Sequence, residues 1–148
     1  MMAEKRGLNL NDSPDAMREV LQNARTIAVV GHSDRPDRTS YQIAWFLRQK
    51  GYTVYPVNPM LEYIGEERCY LSLRALPVTV DIVNVFRRSE YLGEVVDEAI
   101  EAGAKAIWAQ LDVKDEAAME RALAAGVDMA MDTCIKVDYM QLGVRNAR

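Results

Sequence analysis

Four arginines stand where helices should begin, the end at which a positive charge opposes the helix dipole. Arg35 and Arg38 fall in the segment Gly31-His32-Ser33-Asp34-Arg35-Pro36-Asp37-Arg38-Thr39-Ser40, and Arg87-Arg88 directly precede Ser89. A bound polyanion would turn that conflict into complementary charge, because guanidinium groups make charge-assisted bonds to phosphate. The free N–H groups of a helix N-terminus favour the same ligand. The plainer alternative is that the four arginines solvate a rim.

What is missing narrows the anion. The dinucleotide fingerprint G-x-G-x-x-G needs three glycines, and this loop offers Gly31 alone. The acidic residue expected on a ribose is replaced by Asn58-Pro59 after Val57, which disfavours a nicotinamide cofactor. No Gly-Lys-Ser or Gly-Lys-Thr ending supports phosphoryl transfer from a nucleoside triphosphate. Cys69, Cys134 and a single histidine, His32, supply neither a disulfide framework nor a metal-ligand set. His32 has no nucleophile and orienting carboxylate assignable to it, and is read as a loop residue rather than a general base. Cys134, just beyond an apolar run, is open to a thiol-exchange role, with a small packed residue as the alternative. Asp132 and Lys136 are read as structural contacts at the sheet end, and Tyr41, Trp45 and Met119 as packing or partner-surface residues.

These segments need a scaffold, and the apolar pattern supplies one. Residues 26–31 form a short unbroken apolar run ending in glycine, the pattern of a parallel strand buried on both faces. A helix follows from Ser40 to Gly51, capped by Thr39 or Ser40, with Ile43, Ala44, Phe46 and Leu47 on one stripe. Residues 52–57 read as the second strand. The run Val80–Phe86, a helix through Leu92, Val95, Val96, Ala99 and Ile100 capped by Ser89, and a strand at 105–109 continue the alternation. Met119, Ala122 and Leu123 mark a further helix before the strand 127–131, and Ser13-Pro14 opens an N-terminal helix at 14–24. Only one helical turn, at 71–76, is legible between Asn58 and Pro77. The expected fold is α/β, a doubly wound Rossmann-like domain with a mostly parallel sheet of about five or six strands.

Composition agrees with one globular domain over residues 1–148, with 49% hydrophobic and 27% charged residues. No apolar run approaches the roughly 18 residues a bilayer span requires. The first residues carry no signal-peptide pattern, so a cytoplasmic location is expected. A net charge of -4 gives no general attraction to nucleic acid or to an anionic membrane. Any anion site must be local.

Several segments together carry a resemblance: Ile27-Ala-Val-Val-Gly31, Ser33-Asp-Arg-Pro36, Ser40-Tyr41, Gly51-Tyr52 with Pro56-Val-Asn-Pro59, Phe86-Arg-Arg-Ser89, Trp108-Ala-Gln110 and Met131-Asp-Thr-Cys-Ile-Lys136. In this order, across roughly residues 14–140, the chain resembles the stand-alone CoA-binding domain family, which is similar to the N-terminal domain of the succinyl-CoA synthetase alpha subunit. The resemblance implies coenzyme A or acyl-CoA as ligand, with the pyrophosphate over Gly31–Ser40 and the adenosine beside Val57, Asn58 and Pro59. It implies phosphate contacts from Ser33 and Arg35, a donor at Ser40, Phe86 and Arg87 bordering the groove, and Gln110 near the pantetheine arm. The chain departs from the family where Met60-Leu61-Glu62 replaces a usual lysine, for which Arg38 is the available substitute, and where Asp112 stands for a glycine. Thr133 replaces a common arginine, and Asp138-Tyr139 a familiar Glu-His pair.

The expected function is a small non-catalytic carrier, sensor or accessory domain for CoA. The alternatives are a nicotinamide-dependent enzyme, the CoA-binding component of an acyl-CoA ligase whose partner chain supplies catalysis, and an interaction module with an empty groove. A protein partner or homo-oligomer is left open.

Overall fold

The computed structural model describes residues 5–145. Helix α1 (Pro14–Asn23) begins as its sequence dictates, with Ser13 Oγ accepting the N–H of Ala16 and Pro14 in the first turn, where its missing N–H costs nothing. It ends one residue before the expected limit, at the cap Ala24.

Strand and helix then alternate except between β2 and β5: β1 (Thr26–Val30), α2 (Thr39–Gln49), β2 (Thr53–Val57), β3 (Tyr63–Ile64), β4 (Glu67–Arg68), β5 (Ile82–Val85), α3 (Ser89–Glu101), β6 (Ala106–Ala109), α4 (Glu116–Ala124), β7 (Asp128–Ala130) and α5 (Ile135–Gln141). The main sheet has five parallel strands in the order β2-β1-β5-β6-β7, the α/β architecture expected. Two elements were not legible beforehand: the antiparallel pair β3–β4, within the stretch left as one turn, and α5. The expected turn at 71–76 is a 3-10 helix at Leu73–Ala75. The run Val80–Phe86 is paired as a strand only over Ile82–Val85.

Successive residues of each strand enter different layers. Ala28, Val30, Val83, Val85, Ile107 and Ala109 pack with α3 and α4, while Ile27, Val29, Ile82, Ala106 and Trp108 pack with α1, α2 and α5. Every residue of β5 and β6 is buried, which is why their sequences are continuous apolar runs rather than alternating ones. Asn84 is the exception within β5, and its Nδ2 donates to Trp108 O at 3.0 Å and to Gln110 Oε1 at 3.2 Å.

Both outer strands are flanked by further chain. Beside β7, Met129 N donates to Leu8 O at 3.0 Å, and the Asn11 amide pairs with the backbone of Met131 at 2.9 and 3.0 Å. Beside β2, Tyr70 N donates to Pro56 O and Asn58 N to Tyr70 O, both at 2.9 Å. The strand order reverses between β1 and β5, so their connections leave in opposite directions and open a crevice at the carboxyl ends. Gly31 follows β1 there, and Phe86-Arg87 follow β5.

Candidate functional site

The loop from β1 to α2 is held by short polar bonds. Gly31 N donates to Val57 O at 2.8 Å, and Gly31 adopts a φ of 87°, a conformation that costs glycine little. A Cβ at this position would meet Phe86 C and O and Arg87 Cγ, each at 3.3 Å. Ser33 Oγ accepts the N–H of Arg35 at 3.1 Å, and Ser33 N donates to Ser40 Oγ at 2.9 Å. The N-cap of α2 is therefore Arg38, not Thr39 or Ser40, and it makes no side-chain cap bond. Ser40 is drawn back across the loop instead. The first-turn N–H groups, which have no intrahelical acceptor, thus receive no cap from a side chain. The start of α3 differs from expectation in the same way: Arg88 is its N-cap, and Ser89 Oγ donates to Asp112 O and accepts from Lys114 N.

Two cavities meet at Gly31. One, of about 380 Å³, is lined by Gly31, Ser33, Arg35, Arg38, Thr39, Ser40 and Phe86. Arg38, Arg35, whose Nε lies 3.6 Å from Asp37 Oδ1, and the start of α2 give it the character of an anion site. The second, of about 240 Å³, lies between the ends of β1 and β2 and one face of α3, with Val57, Leu71, Leu73 and Val95 as apolar walls. Asn58, Pro59, Met60, Ser72, Arg87 and Glu98 complete it. Both Asn58 amide groups are occupied, Nδ2 donating to His32 O at 3.0 Å and Oδ1 accepting from Met60 N at 2.9 Å. This asparagine ties the end of β2 to the loop.

The structure separates the four arginines. Arg35 and Arg38 line the first cavity and Arg87 the second, its guanidinium stacked over the Tyr91 ring at 4.2 Å. Arg88 lines neither, and its Nη1 lies 3.4 Å from Glu90 Oε1. The four therefore do not face one crevice, because the backbone after β5 sends two neighbouring side chains to different places.

Gln110 is buried and lines neither cavity. Its Oε1 accepts from Asn84 Nδ2 and from Ile135 N, so the side chain joins β5 to the start of α5. His32 lies in the loop, as read, but is fully buried. Its Nδ1 is 2.7 Å from Ser33 O, an acceptor only, so Nδ1 carries the proton and Nε2 is left without a protein partner. Burial lowers its pKa, the Ser33 carbonyl opposes that shift, and Arg48 adds to it.

The remaining departures from the family pattern resolve locally. Asp112 takes the positive φ of 68° that a glycine would adopt, and its N–H donates to Asp132 Oδ1 at 2.7 Å. Asp138 accepts from Trp108 Nε1 at 3.0 Å and from Thr133 Oγ1 at 2.8 Å, while burial raises its pKa against those bonds. Lys136 lies over the Phe46 ring at 5.3 Å, and Cys134 is a half-buried N-cap of α5 without a side-chain bond. A separate cleft of about 380 Å³ at the amino ends of the strands contains Lys5, Glu19, Asp81 and Lys105. There Asp81 is committed to the N–H groups of Arg25 and Thr26 and to Lys105. These bonds outweigh burial and lower its pKa.

Sequence reasoning missed Met60, Leu71, Ser72, Leu73, Val95 and Glu98 as cavity residues. A signal existed for the α3 pair, since Val95 and Glu98 follow Tyr91 by one and two helical turns on the helix that leaves the switch point. The others come from the stretch whose folding was not legible.

A family model described as "CoA binding domain" matches residues 25–140. An uncharacterized protein of Bacillus subtilis, YneT, is 42% identical over 129 residues, covering 87% of this chain and 96% of that protein. An ADP-forming acetate–CoA ligase II of Archaeoglobus fulgidus is 32% identical over 83 residues, 55% of this chain but 12% of the ligase. The structure of a hypothetical protein from Pyrococcus horikoshii superposes with a TM-score of 0.85 at 31% identity, covering 95% of this chain and 99% of that one. Among the described residues no helix is long and apolar enough to cross a membrane.

Proposed function

The chain belongs to the CoA-binding domain family, and from that premise we propose that it binds coenzyme A or an acyl-CoA as a small non-catalytic carrier or sensor domain. The observation that carries the reading is the pair of cavities joined at Gly31, one cationic and one walled by apolar side chains. A ligand with a pyrophosphate at its middle and a base at one end matches that division of charge.

In this reading the pyrophosphate lies over Gly31–Ser40, where Arg35, Arg38 and the uncapped first turn of α2 supply positive charge and donors. Ser33 and Ser40 shape the loop through their mutual bond, and the Ser33 hydroxyl is the more exposed of the two. The adenosine lies beside Val57, Asn58 and Pro59, with Arg87 at the junction and Phe86 on the phosphate side. No step of this reading asks a side chain to make or break a bond, and His32 stays buried, with its Nδ1 proton committed to Ser33 O. Binding and presentation of the ligand are the proposed activity.

Calorimetric titration with CoA, dephospho-CoA, ADP and NAD tests the proposal. CoA should bind more tightly than NAD, and equal or tighter NAD binding would return the domain to the nicotinamide alternative. The match to a CoA ligase favours one second reading, in which a separate chain supplies catalysis to this CoA-binding component. That reading requires CoA binding too, and differs in requiring a partner for any ADP-dependent CoA turnover.

A further inference from the structure

The cavity between β2 and α3 ends on a single acidic side chain, Glu98. Its Oε1 accepts the N–H of Leu73 at 2.6 Å, which fixes the carboxylate against the wall. Among the described residues no hydrogen bond reaches Oε2. A carboxylate offers only acceptors, so this oxygen of a half-exposed residue is open to a donor from a ligand. Around it most of the walls are apolar, Ser72 adds one hydroxyl, and the Asn58 amide is already used at both ends. Two cations stand near, Arg87 in the same cavity with its guanidinium stacked on Tyr91, and Arg74, which acts on the carboxylate electrostatically and whose own hydrogen bonds go to Glu101. Met60 and Leu71 stand at the rim 85% and 62% exposed, and a flat ring laid against them would remove that apolar surface from water.

Resting on the reading that the groove holds CoA, we infer that Glu98 selects the base, its free oxygen accepting the exocyclic amine of the purine. In adenine that amine is the only N–H donor once the sugar is attached. A hypoxanthine ring puts a carbonyl in its place, so two acceptors face each other unless the ring slides to present its N1–H. Leaving the partly enclosed carboxylate without its donor lowers affinity, as happens wherever a site is built to hydrogen-bond a group the analogue lacks.

The test is a titration of the intact chain with CoA and with deamino-CoA, which carries hypoxanthine in place of adenine. Wild type should prefer CoA by about tenfold or more. Glu98→Gln keeps an oxygen for Leu73 N and replaces Oε2 with an amide donor, so the order should reverse and deamino-CoA should bind more tightly. Melting temperatures of both proteins without ligand establish that the variant is folded, and Glu98→Ala should bind the two ligands alike. Equal binding by wild type, or a CoA preference that survives in Glu98→Gln, overturns the role of Glu98 and leaves CoA binding standing. Failure of wild type to bind either ligand overturns the proposed function, and the base selection with it.

Discussion

Ser40 Oγ, in the first turn of α2, accepts the backbone N–H of Ser33 at 2.9 Å, so a buried hydroxyl on the helix sets the course of the loop in front of it. Ser40→Ala removes the acceptor and leaves that N–H unsatisfied, which should cost about 1–3 kcal/mol of stability. Urea unfolding measures the loss. CoA affinity should fall as well, because the loop is then ordered only on binding; unaltered affinity would show that the bond serves the fold alone.

Arg87 is stacked on Tyr91 at the junction of the two cavities, which holds its guanidinium in place before any ligand arrives. Arg87→Ala should weaken CoA by about 1.5–3 kcal/mol, the range for a hydrogen bond to a charged group, with a much smaller effect on unfolding. Tyr91→Phe keeps the ring and should be nearly silent, whereas Tyr91→Leu should reproduce part of the Arg87→Ala loss. Calorimetry on the three variants decides it.

Gly31 combines a φ of 87° with a space that a Cβ would fill against the Phe86 backbone. Gly31→Val should therefore both lower the melting temperature without ligand and abolish the rise on adding CoA, a rise that mass action gives any ligand bound to the native state alone. A variant that melts normally and keeps the full CoA-induced rise would move the phosphates away from this loop.

His32 gives the fold a pH dependence with a definite sign. Its pKa is lowered below the ordinary 6.5, so the folded state disfavours the imidazolium. Its contribution is complete above pH 6.5 and is lost as the pH falls through the lower folded value. Between pH 7.5 and 5, wild type should lose more unfolding free energy than His32→Gln. Asp138, whose raised pKa acts in the opposite direction, is common to both proteins and cancels in the comparison. Parallel pH profiles would show that His32 does not set the pH dependence.

Gln110→Leu separates a ligand contact from a structural tie. The substitution leaves the Ile135 N–H and an Asn84 amide hydrogen without their acceptor in a buried site, and should destabilise by about 2 kcal/mol or more. CoA affinity at a temperature where the variant is folded should hardly change. A large loss of affinity would place the pantetheine arm beside this residue after all.

The fold was legible where burial is two-sided: β1, β5 and β6 lie between helices, so their sequences had to be apolar, and the glycines after α2, α3 and α4 mark the helix ends. The loop from β1 to α2 was legible as a candidate site because charge against a helix dipole is a local conflict visible in sequence. The cavity between β2 and α3 was not. Leu71, Leu73 and Glu98 meet through the packing of a 3-10 turn on α3, a tertiary contact between segments about 25 residues apart that no periodicity announces. The burial of His32 was hidden for the same reason, since a loop residue is expected at the surface and the return of Asn58 and the Tyr41 ring help to enclose it. Arg88 shows the converse, a residue that satisfies the sequence argument for an anion site while its geometry pairs it with Glu90.

The segments running beside β7 and β2 have a consequence for association between molecules. A parallel sheet ends on two rows of backbone donors and acceptors, and an unguarded row is a template on which another chain can add itself. Here Leu8, Asn9 and Asn11 occupy one border, and Pro56 with Tyr70 the other. The guard on β7 comes from about 120 residues away in sequence and contributes only a few bonds, so it is expected to close late and open early. Trimming the chain to begin at Ser13 would leave the groove residues untouched yet bare the outer row of β7, so the trimmed protein should associate edge to edge more readily than the full chain.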